Sequence, residues 1–241
     1  MLTTTNGNII TSDIDAAIGA VINSGSDITT NGKVNAQNID FDSVGNIVTN
    51  GIINGDSITF DSQKEISTNN LVTGKVISLT TIGGNITTNN DITAENNITV
   101  SSGKGVSQKS GTSYTISDNG NMTVTSADGD LILAGSVINN NGNVDITNNS
   151  SGKNSLTVNN LNANGDFSII NNADGLLNLT GTINNVSQNS VITANNTGSG
   201  SGIVTTGTIN NTGSVVITNK GQQGIQLGGN LNNCLLYTSP S

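Results

Sequence analysis

The pentapeptide GTINN occupies residues 181–185 and returns unchanged at 207–211. Two near-copies, GSVINN at 135–140 and GNLNN at 229–233, share its glycine, its aliphatic residue and its asparagines. The last three copies begin at Gly181, Gly207 and Gly229, so they follow one another at nearly equal steps. Self-similarity at periods of roughly 20–50 residues is typical of repeat architectures. The pentapeptide therefore predicts a stack of similar units, in which each copy forms one corner of one coil.

The composition of the 241-residue chain favours strands and turns over helices. Hydrophobic residues make up 32% of the chain, mostly as Ile, Val and Leu, and aromatic residues only 2%, so a large aromatic core is excluded. β-Branched residues favour strands, while the abundant Gly and Asn favour turns. The nearest approach to a helical pattern is DIDAAIGAVI at 13–22, which fits either a helix or a strand.

The charge of the chain excludes nucleic acid as a partner. Charged residues are only 10% of the chain and the net charge is −9, carried by acidic residues spread along its length. The seven basic residues are single, scattered lysines. A nucleic-acid interface needs a basic patch with stacking aromatic residues, and neither is present. No apolar run approaches the length of a membrane span, so we expect no direct span either.

Pairs of aliphatic residues at alternating positions mark short strands. They are separated by Gly, Asn and Asp-Gly turn signals, which is the pattern of period-two strands broken by turns. The pairs are Ile58/Phe60, Ile77/Leu79, Ile98/Val100, Met122/Val124, Val144/Ile146, Phe167/Ile169, Ile192/Ala194 and Val215/Ile217. The steps between them are steady and stay within the range of a repeat protein. A second set lies between them, at Leu156/Val158, Leu177/Leu179 and Ile225/Leu227.

Two architectures fit these strands: an antiparallel sandwich or barrel made of hairpins, or a β-solenoid. We expect an all-β fold, a right-handed parallel β-helix (β-solenoid) with coils of roughly 20–25 residues. The steady spacing of the strands favours the β-solenoid, and small aliphatic residues suit its narrow interior. Asparagines at the corners suit it too, because stacked side-chain amides can bond to their copies one coil above and below.

The domain prediction has three parts. Residues 24–233 are the β-helix repeats, and residues 1–23 are an atypical leading segment that forms a partial coil. The tail CLLYTSPS, residues 234–241, holds the only Cys and the only Pro of the chain. It resembles one reading frame of a transposase adapter used to prepare sequencing libraries, so we interpret it as an adapter-derived artefact. The alternative is a genuine terminal strand.

Three longer stretches carry a resemblance to a known family. They are GNITTNNDITAENNITV at 84–100, GNVDITNNSSGKNSLTVNNL at 142–161 and GSVVITNKGQQGIQLGG at 213–229. They resemble the β-helical shaft of filamentous-haemagglutinin-type adhesins, which are large exoproteins that Gram-negative bacteria export by two-partner secretion. The family's secretion domain, with its Asn-Pro motifs, has no counterpart here. Autotransporter passengers and other surface β-helices have a similar pattern.

The resemblance implies a location and partners for the protein. The location would be extracellular, at the bacterial cell surface. The full-length parent would need an outer-membrane secretion partner, and the exposed rod would meet a host-cell or glycan surface. The family has no catalytic motif to transfer, so the resemblance implies no enzyme activity and no cofactor.

Three pairs of carboxylates are the candidates for acid–base chemistry, at Asp13/Asp15, Asp40/Asp42 and Asp128/Asp130. Pectin-cleaving β-helix enzymes combine clustered aspartates with a basic residue, but this chain has neither Arg nor His, and no Lys lies near any pair in the sequence. Asp128-Gly129-Asp130 is a candidate for calcium binding, but the sequence around it lacks the repeated glycine-rich motif of calcium β-rolls. We therefore expect these aspartates to be solvated residues of turns, and we expect no catalytic, cofactor or metal site.

Two segments interrupt the rhythm of the repeats: SSGKGVSQKSGTS at 101–113 and TGSGSG at 197–202. Loops on rigid scaffolds often carry binding residues. Lys104 and Lys109 are therefore the candidate surface-binding residues, able to contact an anionic glycan or a host surface. The alternative is a longer turn between coils.

The sequence thus predicts a structural, adhesive rod segment of a large secreted bacterial adhesin. Two alternatives stay open. The first is a carbohydrate-active β-helix enzyme or phage-type tailspike, which needs a carboxylate cluster with a basic partner on one face. The second is a surface-layer or matrix protein, which would form ordered arrays.

Overall fold

A computed structural model describes residues 1–187, 191–200 and 202–238. In these ranges the chain forms 28 strands and no helix. The strands are β1 (Leu2–Thr4), β2 (Ile9–Thr11), β3 (Ile14–Asp15), β4 (Gly19–Ser24), β5 (Ile28–Thr30), β6 (Val34–Asn35), β7 (Asn38–Ser43), β8 (Ile47–Thr49), β9 (Ile53–Asn54), β10 (Ser57–Ser62), β11 (Ile66–Thr68), β12 (Val72–Thr81), β13 (Ile86–Thr88), β14 (Ile92–Ser102), β15 (Val106–Gln108), β16 (Ser113–Asn119), β17 (Met122–Ser126), β18 (Leu131–Asn141), β19 (Val144–Asn148), β20 (Leu156–Ala163), β21 (Phe167–Asn171), β22 (Leu177–Leu179), β23 (Thr182–Asn185), β24 (Val191–Asn196), β25 (Ile203–Thr205), β26 (Thr208–Asn219), β27 (Ile225–Leu227) and β28 (Leu231–Thr238).

The strands stack in parallel on three sides of a solenoid of about ten turns. Each coil runs along side A, then side B, then side C, and the next coil repeats the path one strand spacing further on. The first coil shows the pattern: β1 pairs with β4 on side A, β2 with β5 on side B, and β3 with β6 on side C. Some strands, such as β12 and β26, continue around the corner from side C to side A.

The aliphatic pairs predicted from the sequence lie on side A, and the first member of each pair is the register partner of the first member of the next. Ile58 pairs with Ile77, and the same column continues through Ile98 and Met122 to Val144. The remaining predicted steps, up to Val215, are register pairs as well. The second predicted set lies on side B, where it follows one column through β20, β22, β25 and β27. The all-β parallel solenoid is therefore confirmed.

The GTINN copies stack as predicted, but their prediction as corners is wrong. Residues 182–185 form β23 on side C and pair in register with residues 208–211 of β26. Only the glycine is at the corner, where a Cβ added to Gly207 would lie 1.7 Å from the carbonyl oxygen of Gly181. The isoleucine of each copy points into the core, so the pentapeptide supplies an inward residue as well as a turn.

The ambiguous segment 13–22 is extended, and it contributes β3 and the first part of β4. Ala20 and Ile22 are buried while Val21 between them is half-buried, which is the alternation of a strand with one face toward the core. Residues 2–15 form β1, β2 and β3, and these strands pair with the following coil on all three sides.

The core is a set of inward aliphatic columns, one residue from each coil in each column. Ile146, for example, is fully buried and pairs with Val124 on one side and Ile169 on the other. The rings of Phe41 and Phe60 stack at a centroid distance of 4.8 Å, with their planes 4° apart. Each coil thus repeats the shape of its neighbour, so the stability is approximately a sum over coils and the interfaces between them.

A buried polar column closes the corner between sides A and B. The Ser62 hydroxyl donates to the carbonyl oxygen of Gly45 at 2.6 Å and accepts the backbone N–H of Lys64 at 3.0 Å. Such bonds satisfy backbone groups where the chain turns away from the sheet. The column changes from hydroxyls to amides further along. Its buried members are Ser24, Ser43, Ser62, Thr81, Ser102, Ser126, Asn148, Asn171 and Asn196.

Asparagine ladders run along the outside of the corners, as the sequence predicts. The Nδ2 of Asn50 donates to Oδ1 of Asn31 at 3.0 Å, and Nδ2 of Asn69 donates to Oδ1 of Asn50 at 2.8 Å. Nδ2 of Asn89 continues the ladder to Oδ1 of Asn69 at 2.7 Å. Asn50 and Asn69 thus each donate to the coil before and accept from the coil after.

The last strand, β28, runs to Thr238 and pairs with β26. Strand pairing therefore extends into the segment 234–241, whose final residues, 239–241, lie outside the described ranges. The adapter interpretation concerns the origin of these residues and stays a prediction.

Candidate functional site

The two candidate lysines lie at different corners of the solenoid. The segment 101–113, predicted as an interruption, contains the strand β15, which pairs with β13 and β18 on side B. Lys104 precedes this strand and Lys109 follows it, and both are exposed. The structure therefore separates the two side chains by the length of side B and does not join them in one loop.

Each of these corners is a tight turn. The backbone N–H of Lys104 donates to the Ser102 hydroxyl at 3.2 Å. The Thr112 hydroxyl donates to the carbonyl oxygen of Lys109 at 2.7 Å, and Gly111 between them has a φ of 81°, which favours glycine. The extra residues of this coil are thus used in a compact turn.

The second interrupting segment, 197–202, is held by the coil before it. Oδ1 of Asp174 accepts the backbone N–H of Ser199 at 2.9 Å and that of Gly200 at 3.3 Å. Hydrogen bonds from the Ser199 side chain and from these backbone groups lower the pKa of Asp174. Ser201 lies outside the described residues.

Two of the predicted carboxylate pairs have members that cap the backbone. Oδ1 of Asp13 accepts the N–H of Lys33 at 2.8 Å, and Oδ1 of Asp130 accepts the N–H of Ser155 at 2.7 Å. In both cases the carboxylate bonds to the next coil of the stack. These aspartates are therefore parts of the coil-to-coil hydrogen bonding.

The third pair, Asp40 and Asp42, points outward from β7 on side A. Asp61 on the next coil pairs in register with Asp42, so three carboxylates lie on one small area. Partial burial raises the pKa of Asp40, and repulsion from Asp61 and Asp42 raises it further. Within the described ranges, no group of three or more His, Cys, Asp or Glu side chains is arranged to hold a metal ion.

A groove follows the corner between sides C and A over about five coils, with a volume of about 480 Å³. Small residues, one from each successive coil, lie along its floor: Ala16, Ala36, Gly55, Gly74 and Ala94. Ala36 and Ala94 are buried, whereas Ala16, Gly55 and Gly74 are partly exposed. We call it the axial groove. A Cβ added to Gly74 would lie 2.6 Å from the carbonyl oxygen of Gly55, so the coils approach too closely there for a larger residue.

The margins of the axial groove are polar. Before each floor residue stands a polar side chain, and these residues form one in-register column: Asp15, Asn35, Asn54, Thr73 and Thr93. The Nδ2 of Asn54 donates to Oδ1 of Asn35 at 2.7 Å. Across the floor, the ammonium of Lys75 lies 3.2 Å from a carboxylate oxygen of Asp56, and both are about half exposed.

The axial groove is not predicted by the sequence. The signal was present as the recurrence of Ala or Gly after Asn or Thr at the coil period. Small residues at such a period usually mark turns, so the spacing alone does not indicate a concave surface.

No protein-family model, no curated protein and no solved structure matches the chain. In the part of the chain that the structure describes, no helix is long and apolar enough to cross a membrane. The class of protein is therefore defined by geometry, as a parallel β-solenoid with polar ladders along its corners.

Proposed function

We propose that the chain is a rod segment of a secreted bacterial surface adhesin of the filamentous-haemagglutinin type, with a structural and adhesive role. One observation carries the proposal: strands from residue 2 to residue 238 stack in register on three sides of one solenoid. At one strand spacing per turn, about ten turns make a rod about 50 Å long. Such a rod holds a neighbouring segment away from the surface to which it is attached.

The distribution of charge and hydrogen bonds supports the same proposal. Asp13 and Asp130 accept backbone hydrogen bonds from the next coil, so these two aspartates reinforce the rod. A parent adhesin would be exported through an outer-membrane partner and would meet a host-cell or glycan surface. Lys104 and Lys109, at separate corners, would each make single contacts with an anionic surface.

Sequencing of the source DNA through both ends of the coding region tests the proposal. We expect a long open reading frame with an upstream signal peptide and secretion domain, and with further repeats of this kind. A short frame without an export signal would contradict the adhesin assignment. It would leave a free-standing solenoid.

A further inference from the structure

We propose that the axial groove binds a linear, uncharged oligosaccharide whose chain lies parallel to the solenoid axis. This site goes beyond the rod function and does not depend on it, because it belongs to the surface of this chain alone. Its ligand class follows from three features of the groove: unused polar groups, a repeat along its length, and the sign of its charge.

The first feature is a row of hydrogen-bonding groups with capacity left for a ligand. The hydroxyls of Thr73 and Thr93 are half-buried at the margin and make no hydrogen bond to any described residue. The Asn54 amide uses one N–H on Asn35, which leaves its second N–H available. Hydroxyls and amides both donate and accept, as do the hydroxyls of a sugar, so the two sets are chemically matched.

The second feature is the repeat. Each coil contributes one margin residue and one floor residue, so a polar side chain recurs at about 4.8 Å along the groove, as a carboxylate, two amides and two hydroxyls. This spacing is close to the advance of one pyranose unit in an extended glycan. Five coils therefore offer a track about 20 Å long, which suits about four or five sugar units.

The third feature is charge. Among the ionisable side chains that line the groove, Asp15, Asp56 and Glu95 are acidic and Lys75 is basic, and Lys75 is paired with Asp56. The excess of negative charge repels phosphate chains and acidic glycans. An uncharged glycan avoids this repulsion, and its hydroxyls can donate to the carboxylates.

Two other kinds of ligand fit the groove poorly. An extended peptide usually binds by adding a strand to a free sheet edge, but the groove runs across the strands, whose backbone groups bond to neighbouring coils. A compact apolar ligand needs an apolar pocket, and the lining offers only alanines and glycines between polar margins. Because none of the lining residues is aromatic, we expect weak binding, with a Kd of about 1–10 mM.

The test titrates the full chain with cellopentaose and chitopentaose as uncharged probes and with penta-galacturonate as the anionic probe. Backbone amide shifts are followed by nuclear magnetic resonance. We expect at least one uncharged pentasaccharide to bind at millimolar concentration and to shift the amides of Thr73 and Thr93. The amides of Thr29 and Thr87, on the outer face of side B, should not shift. Penta-galacturonate should bind more weakly.

A matched pair of variants tests the contacts. Thr73→Val with Thr93→Val removes both margin hydroxyls, and we expect about tenfold weaker binding, since two neutral hydrogen bonds are lost. Thr29→Val with Thr87→Val makes the same change at half-buried positions outside the groove, and binding should be unchanged. If the first variant misfolds, the amide shifts of the unmodified chain decide whether the oligosaccharide binds in the axial groove.

Three results would overturn the proposal. They are no binding of either uncharged probe up to about 10 mM, shifts confined to residues outside the groove, and tighter binding of penta-galacturonate than of both uncharged probes.

Discussion

Replacing a buried threonine of side B whose hydroxyl has no hydrogen-bond partner by valine should stabilise the protein. Thr30, Thr49 and Thr68 form one inward column, and each is fully buried. Their hydroxyl oxygens find no hydrogen-bond partner among the residues that the structure describes. Each hydroxyl therefore loses its bonds to water on folding and gains none in return.

The size of the effect follows from the environment of Thr49. A buried polar group without a partner costs about 1–3 kcal/mol. Valine has nearly the shape of threonine and carries a methyl group in place of the hydroxyl, so Thr49→Val removes this cost without opening a cavity. We expect the free energy of unfolding to rise by about 1–2 kcal/mol.

The same column provides a control variant in which the free energy of unfolding should change in the opposite direction. Thr88 lies two coils beyond Thr49 and is equally buried, but its hydroxyl lies 2.7 Å from the Tyr114 hydroxyl. Thr88→Val would leave the Tyr114 hydroxyl buried without this bond, so the free energy of unfolding should fall by about 1–3 kcal/mol.

Urea unfolding followed by circular dichroism measures both variants against the unmodified chain. A solenoid can unfold some coils before others, which changes the slope of the unfolding free energy against urea concentration. The midpoints of two proteins are therefore compared only where these slopes agree. A lower midpoint for Thr49→Val than for the unmodified chain would refute the reasoning. So would shifts of the same sign in both variants, since the two sites differ in hydrogen bonding and not in burial.

Three further changes test the core, the corners and the surface. Ile146→Asp buries a carboxylate between two aliphatic neighbours and should lower the free energy of unfolding by several kcal/mol in the same urea assay; an unchanged midpoint would contradict its inward position. Gly51→Ala should cost about 1–3 kcal/mol, because the Cβ would lie 1.8 Å from the carbonyl oxygen of Gly32, whereas Gly7→Ala meets nothing within 4 Å and should cost much less. The pKa of Asp40 is raised in the folded state, so the folded chain binds this proton more tightly than the unfolded chain does. The free energy of unfolding therefore falls as the pH rises from 3.8 to the raised pKa. Asp40→Asn should therefore raise the urea midpoint at pH 7 and lose this advantage below pH 3.8, and an equal gain at both pH values would count against the repulsion.

The sequence predicts the stacking because inward aliphatic residues must repeat at the coil period. The step from Ile58 to Ile77 is a register pair, and so is each later step of that set. A one-residue slip would turn every inward side chain outward, so the pattern of aliphatic residues fixes the register.

The polar residues could not be assigned in the same way. Ser62 and Asn171 are types that usually lie at exposed turns, yet both are buried at the corner between sides A and B. Their burial depends on carbonyl groups of the neighbouring coil, such as that of Gly45, which the local sequence does not specify. The axial groove was missed for a related reason, since Gly55 and Gly74 become its floor only when the coils stack.

Distances between spin labels along one outward column test the central claim that the chain is a single in-register rod. Thr29 and Thr157 lie six coils apart on side B, and Gln226 lies three coils beyond Thr157. Cysteines at these positions, in a Cys234→Ser background, carry nitroxide labels for double electron–electron resonance.

At one strand spacing per coil, we expect about 29 Å between positions 29 and 157 and about 43 Å between positions 29 and 226. Two narrow distributions in this ratio would establish the in-register rod. Two distances that do not increase with the number of coils would contradict it, because hairpins in a sandwich or barrel would bring the distant coils back together.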